Sequence, residues 1–158
     1  MNFTVIAVGR LKEKYLEDAC NEYKKRLSLF KPEIIEITPE RLGDSPSENE
    51  IKNALEKEGE KILEKIPKGS RIYALCIEGK QRTSEEFSRE IDTAKLNGFS
   101  HITFIIGGSF GLSEEVKRAS HEKLSMSKMT FPHQVARVML LEQLYRATQI
   151  SMGTRYHK

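Results

Sequence analysis

Apolar and polar positions follow two rhythms along this chain, and the rhythms alternate almost without pause. Residues 2–8 (NFTVIAV) are rich in β-branched side chains and end at Gly9, which predicts a strand and a turn. Tyr15, Leu16, Ala19, Cys20, Tyr23, Leu27 and Phe30 then recur at helical spacing with charges between them. Pro32 stops that helix, and EIIEIT at 33–38 predicts a second strand. The stretch 39–47 (PERLGDSPS) holds two prolines and a glycine and is the long loop candidate. Ser47 and Glu50 form a capping-box pattern that opens a charged helix to about Ile66. RIYALCI at 71–77 is nearly continuous in apolar residues, as a strand covered on both faces is. Thr83 and Glu86 repeat the capping pattern for a helix to about Asn97, closed by Gly98. HITFII at 101–106 predicts a fourth strand, and a short helix follows Ser113. KLSMS at 123–127 predicts a weaker fifth strand, and Pro132 opens a last helix running to about Met152.

Five strands alternating with five helices predict one α/β domain over residues 1–158, a mainly parallel sheet flanked by helices. Ligands in such folds gather at the carboxyl ends of the strands. A chain of 158 residues, 38% hydrophobic and 31% charged, can bury a core without disulfides or metal. No apolar run approaches the roughly 20 residues of a membrane span. The N-terminus lacks a basic start, a long apolar stretch and a small-residue cleavage site, so we expect no signal peptide and a cytoplasmic location. Cys20 and Cys76 sit far apart in apolar patterns and read as reduced, buried thiols. No Cys/His cluster has metal-ligand spacing, so no metal is expected.

The net charge of +3 names no partner, but its distribution is uneven. Residues 1–115 carry 18 basic and 21 acidic side chains, whereas 116–158 carry 8 basic residues against Glu122 and Glu142 alone. His121, His133 and His157 lie in that second stretch, with Phe131, Gln134, Tyr145 and Tyr156 interleaved. A basic end of this kind is either a solvated surface or one that faces a polyanion.

Three segments fall where a ligand would be held. Gly107-Gly108-Ser109-Phe110-Gly111 directly follows the fourth strand, and its glycines permit close backbone approach to a ligand. It has neither the G-x-G-x-x-G spacing of a dinucleotide turn nor the following GK[ST] of a P-loop. Residues 125–132 (SMSKMTFP) crowd hydroxyls, thioethers and an aromatic ring into one loop. That mixture suits an adenine or a sulfonium, though an ordinary polar connection has the same look. In the last helix Glu142, Arg146 and Gln149 form one narrow polar stripe, and most of the remaining circumference is apolar. Such a helix needs more than one covering surface, and a second subunit supplies it economically.

Arg137 breaks the pattern, lying roughly 140° from Glu142 on the helical wheel and flanked by leucines. It is either a structural ion pair or a group facing a site, where it would hold an anion or a base carbonyl. His133, one turn earlier, is either a helix cap or a proton acceptor pointing the same general way.

GGSFGL after a strand, then FPHQVARVMLLEQLYRA and the terminal YHK, closely resembles the RlmH (YbeA) family of SPOUT-class methyltransferases. The likeness covers essentially the whole chain, including AVGRLKEKYLEDACNEYKKRL, EKEGEKIL and LCIEGK. It implies a SPOUT-type fold whose C-terminal segment, within about 101–158, forms a deep trefoil knot, and a homodimer through the last helix. It implies S-adenosylmethionine in the knot, against Leu75, Gly107 and Met126, Ser127, Lys128, Met129, Thr130 and Phe131. The implied reaction is methylation at N3 of pseudouridine 1915 of 23S rRNA on the assembled 70S ribosome. That imide nitrogen must lose a proton, so a base or an anion-stabilising cation is useful. Arg137 is the candidate cation, His133 or His157 the proton acceptor, and Tyr156 with His157 would reach the neighbouring subunit's pocket. The competing expectations are a non-catalytic RNA-binding factor and a nucleotide-binding regulatory domain.

Overall fold

The computed structural model describes residues 1–158, and its elements alternate as the pattern predicts. They are β1 (Asn2–Val8), α1 (Lys14–Arg26), β2 (Glu33–Ile37), α2 (Glu48–Lys65), β3 (Ser70–Lys80), α3 (Ser84–Leu96), β4 (His101–Ile106), α4 (Glu114–Ala119), β5 (Glu122–Leu124) and α5 (His133–Ser151). The five strands form one parallel sheet in the order β2-β1-β4-β3-β5. Both anticipated capping boxes are present, Ser47 with Glu50 and Thr83 with Glu86, so each of those helices begins where its donors find partners.

Alternate residues of the central strands feed two cores. Phe3, Val5, Ala7, Tyr73 and Phe104 pack beneath α1, α3 and α5, where they meet Cys20, Phe87, Leu140, Leu141 and Leu144. Ile6, Val8, Ala74 and Ile105 face α2 and α4 through Ile62 and Val116. Covering on both faces explains the unbroken apolar runs of β3 and β4.

Three boundaries differ from the sequence reading, each for a local reason. The first helix stops at Arg26, and Ser28–Phe30 make a 3-10 turn that ends at Lys31 in left-handed backbone, φ 44°. Leu27, fully buried, anchors that break. The third strand runs on to Lys80 because β5 pairs with it twice, Leu124 standing opposite both Leu75 and Lys80 across a register shift. The fifth strand is only three residues long. Beyond it Ser125 Oγ donates to the Ser127 carbonyl (3.0 Å) and Ser127 Oγ accepts from Met129 N–H (3.0 Å), local bonds that replace the ladder.

Candidate functional site

At the carboxyl ends of β3 and β4 lies a cavity of about 720 Å³, the volume range of small-molecule sites. Its floor is the strand ends, Leu75 to Glu78 and Ile106. One wall is residues 107–112, folded back on themselves by the Gly111 N–H bond to the Gly108 carbonyl (3.1 Å). A Cβ at Gly107 would overlap the Gly111 carbonyl oxygen, and Gly111 itself holds φ at 82°, so both positions demand glycine. The other wall is the loop after β5, followed by His133 and Ala136 of α5.

Of the sequence-derived candidates, Leu75, Gly107, Met126, Ser127, Met129, Thr130, Phe131 and His133 line this cavity. Lys128, exposed, lies in the same loop but outside the lining. The backbone N–H groups of Met126, Ser127, Thr130 and Phe131 donate to no protein acceptor. The sequence pattern did not single out Cys76, Ile77, Glu78 and Lys117 as lining residues; the run LCIEGK that contains three of them was the available signal. Glu78 and Lys117 pair at 2.6 Å on the cavity wall. The lysine holds the Glu78 carboxyl below its ordinary range, and the carboxylate in turn raises Lys117. Cys20 is buried as expected, but Cys76 is only half-buried because it lines the cavity, and desolvation there pushes its thiol up.

His133 is the first residue of α5, and its Nε2 lies beside Gly9. Burial first, and then the charges of Arg137 and Lys12, lower its pKa from the ordinary 6.5. The imidazole is therefore neutral at pH 7 and can accept a proton. Arg137 does not line the cavity. Its side chain is 2% exposed, Nη1 donates to Glu36 Oε2 (2.8 Å) and Nη2 to the Gly9 carbonyl (3.1 Å). Its Nε is buried with no partner. Of the two readings open at the sequence level, the structure shows the ion pair. Tyr156 and His157 also lie outside the lining of their own chain's cavity. Tyr156 donates to Glu142 Oε1 (3.2 Å) and His157 Nε2 pairs with Glu85 (2.7 Å). Glu142 and Arg146, spaced for an i,i+4 pair, meet at 2.6 Å on the stripe that receives this tail.

A glycine turn after the fourth strand, a cavity and a second loop leading into the last helix thus make up the candidate site. The sequence model of the family described as "Predicted SPOUT methyltransferase" matches residues 1–157. The chain belongs to the SPOUT methyltransferase family. The ribosomal RNA large subunit methyltransferase H of Streptococcus thermophilus is 51% identical over 159 residues, covering all of both chains. The protein of the same name from Bacillus cytotoxicus is 50% identical, again over the whole of both. The kinship read from GGSFG and the PHQVARVMLLEQLYRA run therefore extends from end to end, and the parallel α/β sheet agrees with SPOUT membership. No helix of this SPOUT methyltransferase is long and apolar enough to cross a membrane.

Proposed function

We propose that this SPOUT methyltransferase moves a methyl group from S-adenosylmethionine to the N3 position of pseudouridine 1915 of 23S rRNA in the assembled 70S ribosome. The observation that carries the reading is the cavity itself. Its largely apolar lining and the loop amides left without a protein acceptor suit a nucleoside bearing a soft cation and no phosphate. The names of the full-length relatives support large-subunit ribosomal RNA as substrate.

Leu75, Gly107 and residues 126–131 would hold the cofactor, Lys128 through its backbone only. Bound there, S-adenosylmethionine supplies an electrophilic methyl carbon. The chain's own residues exclude water and align the acceptor. His133, neutral and on the cavity wall, takes the N3 proton. Arg137 holds the Gly9 turn against which His133 rests, so its charge also keeps that imidazole unprotonated. Tyr156 and His157, carried on the tail, act on the cavity of a second copy in a homodimer paired through α5. The trefoil knot over 101–158, the single-domain organisation and a cytoplasmic location belong to the same reading.

Transfer of labelled methyl groups to intact 70S ribosomes, separated subunits and naked 23S rRNA tests it. Label at one pseudouridine of 23S rRNA, strongest on 70S ribosomes, is the expected result. Binding to ribosomes with no label transferred would identify a non-catalytic RNA-binding factor instead.

A further inference from the structure

We infer that Arg82 is a positioning residue for the cofactor loop, closing a ring of five side chains that clamps β5 where the chain turns into residues 125–132. The inference rests on that loop being the cofactor wall, as proposed above.

Arg82 looks like a loop arginine in sequence, yet its side chain is 2% exposed. Its Nε donates to both Glu90 carboxylate oxygens (2.8 and 2.9 Å), and Nη2 donates to Glu122 Oε2 (2.9 Å). The second oxygen of Glu122 accepts from Arg71 Nη2 (3.0 Å). Arg71 Nε reaches the Tyr73 hydroxyl (3.5 Å), and that hydroxyl donates back to Glu90 Oε2 (3.1 Å). Two arginines, two glutamates and one tyrosine thus form a closed, charge-balanced circuit joining β3, α3 and β5.

The remaining Nη1 of Arg82 donates to two backbone carbonyls, Lys80 (2.9 Å) and Lys123 (3.1 Å). These belong to the outgoing end of β3 and to β5, the strands that meet at the register shift. The approach there is backbone to backbone, since a Cβ at Gly79 would lie 2.7 Å from the Leu124 carbonyl carbon. Ser125 N–H then donates to the Lys80 carbonyl (3.0 Å), fixing the first residue of the loop.

An edge strand of three residues has too few ladder bonds to set the direction of the chain that follows it. Around the buried Arg82 the other charged members are part-exposed, and such an ionic ring adds little net stability, so its distinguishing effect is geometric. Leu75 of the floor stands opposite Leu124, so any slip of β5 shifts the following loop, one wall of the cavity, against that floor.

The test is Arg82→Lys, because one ammonium cannot serve two carbonyls and two carboxylates in a plane. Hydrogen exchange of the ligand-free protein should quicken about five-fold or more in peptides spanning 122–131, with β1 and α5 unchanged. KM for S-adenosylmethionine should rise about ten-fold while kcat stays within about two-fold. Glu122→Gln should shift both readouts in the same direction, by less. Unchanged exchange and KM overturn the inference, and so does acceleration spread evenly over the chain, which is general loosening. If the wild-type protein gives no heat with S-adenosylmethionine, the proposed function fails, and the exchange pattern alone decides the clamp.

Discussion

Arg137 and Glu36, 101 positions apart, meet at 2.8 Å and tie the last helix to the end of the second strand. The arginine is buried while its partner is 43% exposed, so the two substitutions differ in kind. Glu36→Ala leaves a buried cation with only the Gly9 carbonyl. The expected loss is about 2 kcal/mol, below the roughly 3–5 kcal/mol of a fully buried pair because water reaches the carboxylate. Urea unfolding of Glu36→Ala and Glu36→Gln, compared with wild type, measures it.

Gly107→Ala places a methyl group on the Gly111 carbonyl oxygen. The loop must open by refolding its turn, at a cost of roughly 1–3 kcal/mol. Calorimetry should show at least a ten-fold weaker binding of S-adenosylmethionine, roughly the equivalent of 1.4 kcal/mol. Affinity within two-fold of wild type would remove Gly107 from the cofactor site.

His133 links pH to both stability and rate. Its folded pKa lies below the ordinary 6.5, so the stability it contributes is complete above pH 6.5 and is lost as pH falls through the folded value. The acid limb of methyl transfer should likewise fall below pH 6.5, since only the neutral ring accepts a proton. His133→Gln should lower the rate at neutral pH and remove the group's share of both acid limbs, read from urea midpoints and rates at matched pH.

The aromatic cluster beneath α3 and α5 should behave as a plain packing site. Phe104 is fully buried, with Tyr73 stacked at 5.2 Å and Phe3 and Phe87 edge-on at 6.4 and 5.9 Å. Phe104→Ala should cost about 3–5 kcal/mol by denaturant titration. Ligand affinity, measured on the folded fraction, should stay within a few-fold of wild type.

Truncation after Gly153 removes the part-buried Tyr156–Glu142 bond and the exposed His157–Glu85 contact. Stability should change by no more than about 1 kcal/mol. If the tail serves a second copy's cavity, methyl transfer should fall sharply while S-adenosylmethionine affinity holds. Mixed dimers, one subunit truncated and one carrying Gly107→Ala, should then recover part of the activity.

The sheet and the cavity were legible in sequence for one shared reason: both depend on local signals. Runs of β-branched and apolar residues marked β1 and β4, Ser47 and Thr83 marked helix starts, and Gly107 to Gly111 marked a backbone-lined turn. The buried arginines were legible only in part. Arg137 stood out because it interrupts an apolar helix face, but its partner Glu36 lies in a short strand with nothing to single it out. Arg82 sits among Gln81, Thr83, Ser84 and Glu85, a context that reads as solvated loop. Its burial is made by Glu90 and Glu122, one on the next helix and one 40 residues on. No window of local spacing contains that information.

The cavity draws its lining from Leu75 to Ala136, and the central strand β1 pairs with β4 across about a hundred residues. During synthesis β1 gains β2 early but waits for β4 through most of translation, and the ligand site cannot close until α5 has begun. Contacts of such sequence separation slow folding. A small molecule that binds the finished cavity cannot assist the earlier steps, yet it stabilises every chain that completes α5. Ligand supply would thus govern how long the protein persists once made, and have no effect on how fast it first folds.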